Sequence, residues 1–138
     1  MIFQDTLTVA TRGRGFVDVT TEVRDIVRVS GVKTGLATLF VQHTSASIVV
    51  QENADPSVLR DLAAWFERVA PEDARAYEHG AEGLDDMPGH IRASITRTSE
   101  SIPITGGELA LGTWQAIYLF EHRRAPRERR VVVHVAGE

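Results

Sequence analysis

The sequence LFVQHTSASIVVQENADP, residues 39–56, contains two apolar runs, and polar residues lie at the end of each. The first run ends at His43, and the second, at 48–50, leads into a polar segment that includes Glu52. Polar side chains at the ends of buried strands can leave the core and contact a ligand. We therefore expect this stretch to supply one half of a functional site and DDMPGH, at 85–90, to supply the other half.

Hydrophobic periodicity on both sides of this stretch predicts about seven strands and two or three helices. The predicted strands span 2–9, 15–19, 35–43, 48–51, 101–105, 108–111, 114–122 and 130–135. The predicted helices span 22–30 and 56–70, and a third begins near Asp86. Because short turns join several of the strands, we expect an α+β fold: a mainly antiparallel sheet sandwich with helices on one side or at one end.

Local signals refine the predicted helices. Thr20 or Thr21 is expected to cap the first helix, and Gly31 to end it. In the second helix Trp65 is expected to belong to the core, and in the third Ile95 is expected to face inward.

A tight hairpin between 36–43 and 47–51 would place His43 at its turn and Glu52 at its far end. Several residues of strand, at roughly 3.3 Å each, would then separate the two side chains. They could share a site only if the connection is not a tight hairpin or if a neighbouring subunit completes the site.

Composition limits the classes of protein to consider. The chain has 138 residues, 43% of them hydrophobic and 25% charged, which predicts one ordinary globular domain over residues 1–138. It has no cysteine, so disulfides and thiolate metal ligands are excluded. No apolar run approaches the roughly 18 residues of a membrane span and the N-terminus lacks signal-peptide features, so we expect a cytoplasmic protein without a membrane partner. The net charge of −4 argues against nucleic acid as the main partner.

Basic residues are concentrated near the C-terminus. Residues 123–130 hold five arginines and a single acid, Glu128. A solvated hairpin tip is the preferred explanation. An anion or phosphate site is the alternative, because arginine binds phosphate well.

Three histidines are candidates for metal binding or general acid–base chemistry. His43 ends a strand, His79 lies in the acidic segment 71–89, which reads as a long loop, and His90 lies in the first turn of the third helix. The helix N-terminus disfavours a positive charge and so keeps His90 neutral. A histidine must be neutral to bind a metal. Their spacing is not diagnostic of a metal site. The remaining histidines, at 122 and 134, are taken as structural.

Several other polar side chains could serve the same site. The carboxylates that could act as bases, metal ligands or partners of a histidine are Glu52, Asp55, Glu82, Asp85 and Asp86. Asp55 has a structural role as the cap of the second helix, and that interpretation is preferred. The hydroxyls at 44–47 could bind an anion, although a polar turn explains them equally well.

Five segments together resemble the YjbQ family of small bacterial and archaeal proteins. They are HTSAS at 43–47, QENADP at 51–56, EGLDDMPGHIRASI at 82–95, SIPITGGELALGTWQAIYLFEHR at 101–123 and RRVVVHVAGE at 129–138. The combination of DDMPGH with LALGTWQAI is specific. The resemblance implies an α+β fold built on antiparallel sheets, assembly as a homotrimer and a thiamine phosphate synthase activity.

The resemblance also implies which residues build the site. The family's polar motif positions correspond to His43, Glu52, Asn53, Asp55, Asp86, His90 and Gln115, and those of one branch to His79 and Glu82. We assign catalysis to His43, Glu52, Asp86 and Gln115. We assign substrate or cofactor binding to Thr44, Ser45, Asn53 and Arg130. We assign metal binding to His43, His79 and His90.

We therefore expect an enzyme that joins a pyrimidine diphosphate to a thiazole phosphate, both small phosphorylated metabolites, and releases pyrophosphate. The histidines would hold a divalent metal (zinc, nickel or magnesium), although magnesium prefers oxygen ligands. The alternatives are a metal- or metabolite-binding protein without turnover, a zinc-dependent hydrolase, and a module whose trimer interface is its function.

Overall fold

Eight β-strands and three α-helices form two packed sheets in the computed structural model, which describes residues 1–138. The strands are β1 (Ile2–Thr11), β2 (Gly15–Asp18), β3 (Thr34–Val41), β4 (Ala46–Glu52), β5 (Ser99–Thr105), β6 (Glu108–Leu109), β7 (Gln115–Glu121) and β8 (Arg127–Gly137). The helices are α1 (Thr20–Ser30), α2 (Pro56–Val69) and α3 (Asp86–Ile95). None of these helices has the length and apolar character needed to cross a bilayer.

All strand pairs are antiparallel, and they build one larger and one smaller sheet. The strand order is β1-β8-β3-β5-β6 in the five-stranded sheet and β2-β7-β4 in the three-stranded sheet. A core of 19 buried apolar residues is shared by the two sheets and α1. Ile117 and Leu119 of β7 lie in this core, whereas Phe120, on the opposite face, stacks on Phe16 and contacts Phe66 of α2, so β7 is covered on both faces, as its apolar sequence predicts. The predicted α+β fold with mainly antiparallel sheets is confirmed.

The connection between β3 and β4 passes from the larger sheet to the smaller one, so 36–43 and 47–51 do not form a tight hairpin, which is one of the two alternatives that the sequence left open. β5 and β8 pair with the two edges of β3, which leaves no free edge for β4. β4 pairs with β7 instead. The crossing segment, residues 42–45, therefore carries His43 to the boundary between the sheets.

The C-terminal end of α1 is the one that the sequence predicts, whereas the N-terminal cap is not. Gly31 ends the helix in the left-handed conformation, with φ of 74°, as predicted. The expected threonine cap is wrong, because Asp18 Oδ1 accepts a hydrogen bond from the Thr20 N–H at 2.9 Å. The Thr20 hydroxyl accepts from the backbone N–H of Ile117 in β7 and so anchors the helix to the smaller sheet.

Two expectations about helix faces are wrong. Trp65 is 45% exposed and Ile95 is 51% exposed, whereas the α2 residue that is buried is Phe66. The inner face of α3 instead buries Asp86 and Arg92, each 2% exposed. Charged side chains can occupy this face because each has an ion-pair partner of opposite charge.

The close approach of β3 to the end of β8 generates the first prediction. A Cβ at Gly35 would overlap the carbonyl oxygen of Ala136 and lie 2.9 Å from the Cα of Gly137, and backbone atoms cannot move aside cheaply. We expect Gly35→Ala to lower the free energy of unfolding by at least about 2 kcal/mol, as overpacking does. The measurement is urea unfolding, with Gly80→Ala as the control, since nothing lies within 4 Å of a Cβ at Gly80. Equal stability of the two variants would contradict the predicted clash.

Candidate functional site

Three side chains converge where the long loop meets α3. His79 belongs to the loop between α2 and α3, and Asp86 and His90 lie four residues apart in the first turns of α3, on one face of the helix. Asp86 Oδ2 lies 2.6 Å from His79 Nε2 and 3.2 Å from His90 Nε2. One potential ligand atom from each residue lies within 4.8 Å of the other two. We call this group the His79–Asp86–His90 cluster.

The hydrogen bond on the far side of the His90 ring determines which nitrogen faces the cluster. His90 Nδ1 lies 3.1 Å from the carbonyl oxygen of Thr44, which can only accept, so Nδ1 carries the ring proton. A neutral His90 then directs the lone pair of Nε2 at Asp86 Oδ2. Histidines that bind metals are commonly oriented in this way by a backbone carbonyl on the other nitrogen.

The side chain of Asp86 is held in its ionised form. Burial alone would raise the pKa of Asp86, but the hydrogen bond from His79, the charge that His90 carries when it is protonated and the charge of Arg123 outweigh it and hold the pKa below its usual value. Arg123 Nη1 donates to Asp86 Oδ1 at 2.7 Å. The other oxygen, Oδ2, is thus left for the two imidazoles.

The cluster fits a divalent metal. In a tetrahedral zinc site, bonds of about 2.0–2.2 Å place neighbouring ligand atoms about 3.3–3.6 Å apart, and the Asp86–His90 separation of 3.2 Å lies just below that range. The Asp86–His79 separation of 2.6 Å is that of a hydrogen bond, and the His79 side chain, 47% exposed on its loop, would have to move outward slightly. Two imidazoles and one carboxylate suit zinc or nickel better than magnesium.

An open groove adjoins the cluster through His90. Its volume is about 530 Å³, and it runs between the end of β3, the crossing segment 42–45 and α3. The lining side chains are Phe40, Val41, Gln42, His43, Thr44, His90, Ala93, Ser94 and Thr98. No acidic residue, arginine or lysine lines it, so a charged group of a bound molecule would find its ionic partners next to the lining, in the cluster or at Arg130, whose backbone N–H contacts His43.

His43 lies in this groove but outside the cluster. Its Nε2 accepts a hydrogen bond from the backbone N–H of Arg130 at 2.8 Å, so the proton of the neutral ring is on Nδ1. Burial and the charge of Arg129, outweighing that of Glu121, lower the pKa of His43. At neutral pH His43 therefore offers the groove an N–H donor, whereas its Nε2 lone pair is already engaged.

The other predicted site residues form a second group at the opposite end of β4. Glu52 pairs with Gln115 there, whereas Ala46, next to the crossing segment, pairs with Glu121. Six residue steps of strand, about 20 Å, separate the two ends. Gln115 Oε1 accepts from the Gly112 N–H at 2.8 Å and Glu52 Oε2 from the Asp55 N–H at 3.2 Å. The structure therefore does not bring Glu52, Asn53 or Gln115 to the cluster within one protomer.

Asp55 caps α2, as the sequence predicts, by accepting from the Ser57 N–H at 2.9 Å. Two other predicted residues lie by the groove with different accessibility. Thr44 is exposed there, whereas Ser45 is buried and its oxygens accept from Arg129 Nη2.

The arginines of 123–130 are mostly committed to carboxylates, so a solvated hairpin tip is the wrong explanation for this cluster. Arg123 and Arg129 are 8% and 5% exposed and contact Asp86 and Glu121, respectively. Arg130 is exposed, and its side chain makes no ionic contact. Sequence reasoning missed Arg123; the available signal was the acidic pair at 85–86, which needed a basic partner.

A second histidine contact, between His122 and Ser47, is structural. Thr96 Oγ1 donates to the Arg92 carbonyl and so accepts from Ser47, which in turn accepts from His122 Nε2 at 2.7 Å. His122 thus donates to the hydroxyl and cannot remove its proton. Ser47 is also 1% exposed. The pair is therefore not a nucleophile and its base.

Comparisons with known proteins agree with this architecture. The family model described as UPF0047 protein YjbQ-like matches residues 5–138. The UPF0047 protein of Synechocystis is 56% identical over 98% of this chain and 92% of its own, and the UPF0047 protein YjbQ of Salmonella typhimurium is 43% identical over the whole of both. The crystal structure of a YbjQ-like protein of unknown function from Sulfolobus solfataricus has a TM-score of 0.90 at 28% identity, covering 100% of this chain and 99% of that one. These similarities establish the family and the fold, and the descriptions of the matched proteins name no reaction.

The buried position of His122 generates a prediction about pH. Burial, aided by the charge of Arg92, lowers the pKa of His122 from 6.5 to about 3. Below pH 6.5 His122 binds a proton in the unfolded chain but not in the folded protein. The free energy of unfolding therefore decreases as the pH is lowered, by up to about 1.4 kcal/mol per pH unit. We expect urea unfolding between pH 6.5 and 4.5 to show a shallower loss of stability for His122→Gln than for the wild type.

The control is His134→Gln, which removes a histidine from a more accessible site where Nδ1 bonds Gln4 Oε1. It should keep the wild-type pH dependence. If His122→Gln loses stability with falling pH as steeply as the wild type, another group causes the acid sensitivity.

Proposed function

The chain belongs to the YjbQ-like UPF0047 family, and on that premise we propose that it is a metal-dependent enzyme acting on a phosphorylated small molecule. The observation that carries the proposal is the convergence of His79, Asp86 and His90 at the wall of a groove. The groove has room for a small metabolite, and the cluster is where its phosphate would be neutralised.

The roles of the residues follow from their contacts. A divalent ion held by the cluster would supply the positive charge that a phosphate or diphosphate leaving group requires. His43, through Nδ1–H, would donate a hydrogen bond to a substrate oxygen in the groove. Arg130, whose backbone contacts His43 and whose side chain is free, would bind a second phosphate. Thr44 would add a hydroxyl.

The specific reaction that we propose is thiamine phosphate synthesis. The thiazole nitrogen forms a bond to the methylene carbon of the hydroxymethylpyrimidine diphosphate as the bond from that carbon to oxygen breaks. Diphosphate leaves with the electron pair. The family resemblance supports this reaction, and the cluster provides a place for the leaving group.

A zinc-dependent hydrolase is the second candidate, and the ligand set favours it. Two of the three ligand atoms in the cluster are imidazole nitrogens, which suit zinc, whereas diphosphate chemistry commonly uses magnesium with oxygen ligands. Assays separate the two candidates. The synthase forms thiamine phosphate only when both substrates are present, whereas a hydrolase releases phosphate from one substrate alone.

We further propose that three copies of the chain assemble through the outer face of the five-stranded sheet. The strand register places an apolar row, Ile2, Ala136, Leu36 and Pro103, and a mixed row, Thr6, Val132, Phe40 and Ser99, across this face, with the uncharged polar side chains of Gln4, Thr38 and Ser101 and the ring of His134 between them. Ile2 is 74% exposed, Leu36 42% and Phe40 48%. No acidic side chain belongs to these rows, and apolar patches of this kind commonly mark protein interfaces.

Assembly would also address the separation of the two polar groups. Phe40 belongs both to this face and to the groove, so a neighbouring copy docked here would lie against the groove. That copy is the source from which Glu52, Asn53 and Gln115 could reach the cluster.

The assignment of the metal generates a prediction. Protein purified without a histidine tag should contain near-stoichiometric zinc or nickel by elemental mass spectrometry. His90→Ala should lose the metal, because it removes one of three ligands. His43→Ala should keep the metal and lose synthase activity by about 100-fold or more, as expected when a hydrogen-bond donor to the developing negative charge is removed. Val29→Ala, an exposed position on α1 outside the site and outside the proposed interface, is the control and should keep both.

Two results would count against these roles. Synthase activity that survives the combined His43→Ala and His90→Ala changes would remove the site from the reaction. A wild-type protein that contains no metal would contradict the proposed zinc or nickel site. The role of His43 would then be tested in assays supplied with magnesium.

The proposed interface generates a prediction about assembly. Light scattering during gel filtration should give about three times the 15.2 kDa of one chain for the wild type. Leu36→Asp places a charge in the apolar row and should yield monomers, because an unpaired charge at an interface is strongly unfavourable. Val29→Asp, at an exposed position on α1 with 72% exposure, is the matched control and should remain trimeric. A trimeric Leu36→Asp protein would contradict the assignment of this face.

A further inference from the structure

Arg123 makes three hydrogen bonds to the segment that carries the cluster. Its Nη1 donates to Asp86 Oδ1 at 2.7 Å, its Nε to Asp85 Oδ2 at 3.0 Å, and its Nη2 to the Glu82 carbonyl at 2.9 Å. The side chain reaches these acceptors from the residue pair that follows β7, and it is 8% exposed. Because it is buried and saturated by carboxylates and a carbonyl, it is not available to bind substrate phosphate.

The contact to Asp86 determines which oxygen the histidines meet. A free carboxylate can rotate and offer either oxygen or both, whereas here Oδ1 is bound to Arg123. Both imidazoles consequently face the one remaining oxygen, at 2.6 and 3.2 Å. Hydrogen bonds to the second oxygen of a ligating carboxylate orient it in this way and raise metal affinity.

The contact to Glu82 positions the end of the loop that carries His79. The start of the loop is held separately, where Glu72 contacts Arg14, whose side chain is 13% exposed, and Arg124, whose side chain is 65% exposed, so Arg14 keeps this anchor when Arg124 is changed. Between these anchors, His79 is bonded to Asp86. Arg123 therefore fixes the loop on one side of the cluster and the first turn of α3 on the other.

We propose that Arg123 is the positioning residue of the His79–Asp86–His90 cluster, holding Asp86 and the loop in the geometry in which the three ligand atoms converge. The part of this proposal that concerns metal affinity rests on the proposed function. The part that concerns the geometry of the loop and the first turn of α3 applies to the metal-free protein as well.

The test compares Arg123→Lys with Arg124→Lys. Lysine keeps the charge but can reach fewer of the three acceptors, because its donors sit on one nitrogen. We expect zinc affinity, measured by competition with a chromophoric chelator, to fall 10- to 100-fold in Arg123→Lys and to change by less than about threefold in Arg124→Lys. The visible spectrum of bound Co²⁺ should change in Arg123→Lys alone, which a merely structural defect elsewhere would not produce.

Amide hydrogen exchange of the metal-free proteins separates failure of this proposal from failure of the proposed function. Exchange over 82–90 should be faster in Arg123→Lys than in the wild type, and unchanged there in Arg124→Lys. If the wild type binds no zinc, the proposed metal is wrong, and the exchange result alone judges Arg123. Unchanged zinc affinity and unchanged exchange in Arg123→Lys would overturn the proposal.

A second variant covers the case in which Arg123→Lys does not fold. Asp85→Ala removes the acceptor of Arg123 Nε and leaves all three cluster residues in place. A loss of zinc affinity, or faster exchange over 86–90, supports the proposal. Wild-type values in both measurements overturn it.

Discussion

Glu121 is completely buried, and its ionic contact with Arg129 fixes how the two sheets meet. A carboxylate inside a protein destabilises the fold unless its charge is balanced and its lone pairs are hydrogen-bonded. Arg129 contacts both oxygens of Glu121, and the Thr11 hydroxyl donates to one of them. The backbone N–H groups of His122 and Arg123 donate to the other. With these partners the ion pair joins β7 of one sheet to β8 and β1 of the other.

Both sides of the candidate site are positioned by this pair. On one side, Arg129 Nη2 donates to the Ser45 carbonyl, which holds the crossing segment 42–45 where the Thr44 carbonyl meets His90. On the other side, Glu121 binds the backbone N–H of Arg123, whose side chain reaches Asp86. The Glu121–Arg129 pair therefore holds the crossing segment and the side chain of Arg123 in fixed positions relative to each other. These two groups in turn contact His90 and Asp86 of the cluster.

The sequence predicted the elements whose signals are local. The Asp55 cap, the left-handed Gly31 and the apolar β7 all follow from a few neighbouring residues. The partners of β3 and the burial of Arg123 could not be read in this way, because each depends on residues far along the chain. The inward face of α3 was missed for the same reason: Arg92 is buried because Glu67 faces it, and periodicity alone favoured Ile95.

The chemical character of the cluster follows from the groups around one oxygen. Asp86 Oδ2 faces two imidazole nitrogens, and the ring proton of His90 is committed to the Thr44 carbonyl. A neutral His90 therefore brings a lone pair towards a carboxylate lone pair, and a cation between them removes the repulsion. That cation would be either a proton on the imidazole or the proposed metal ion, so the two would compete for the same place. His43 lacks this requirement, because a backbone N–H already satisfies its Nε2, and its Nδ1–H is left as a hydrogen-bond donor facing the groove.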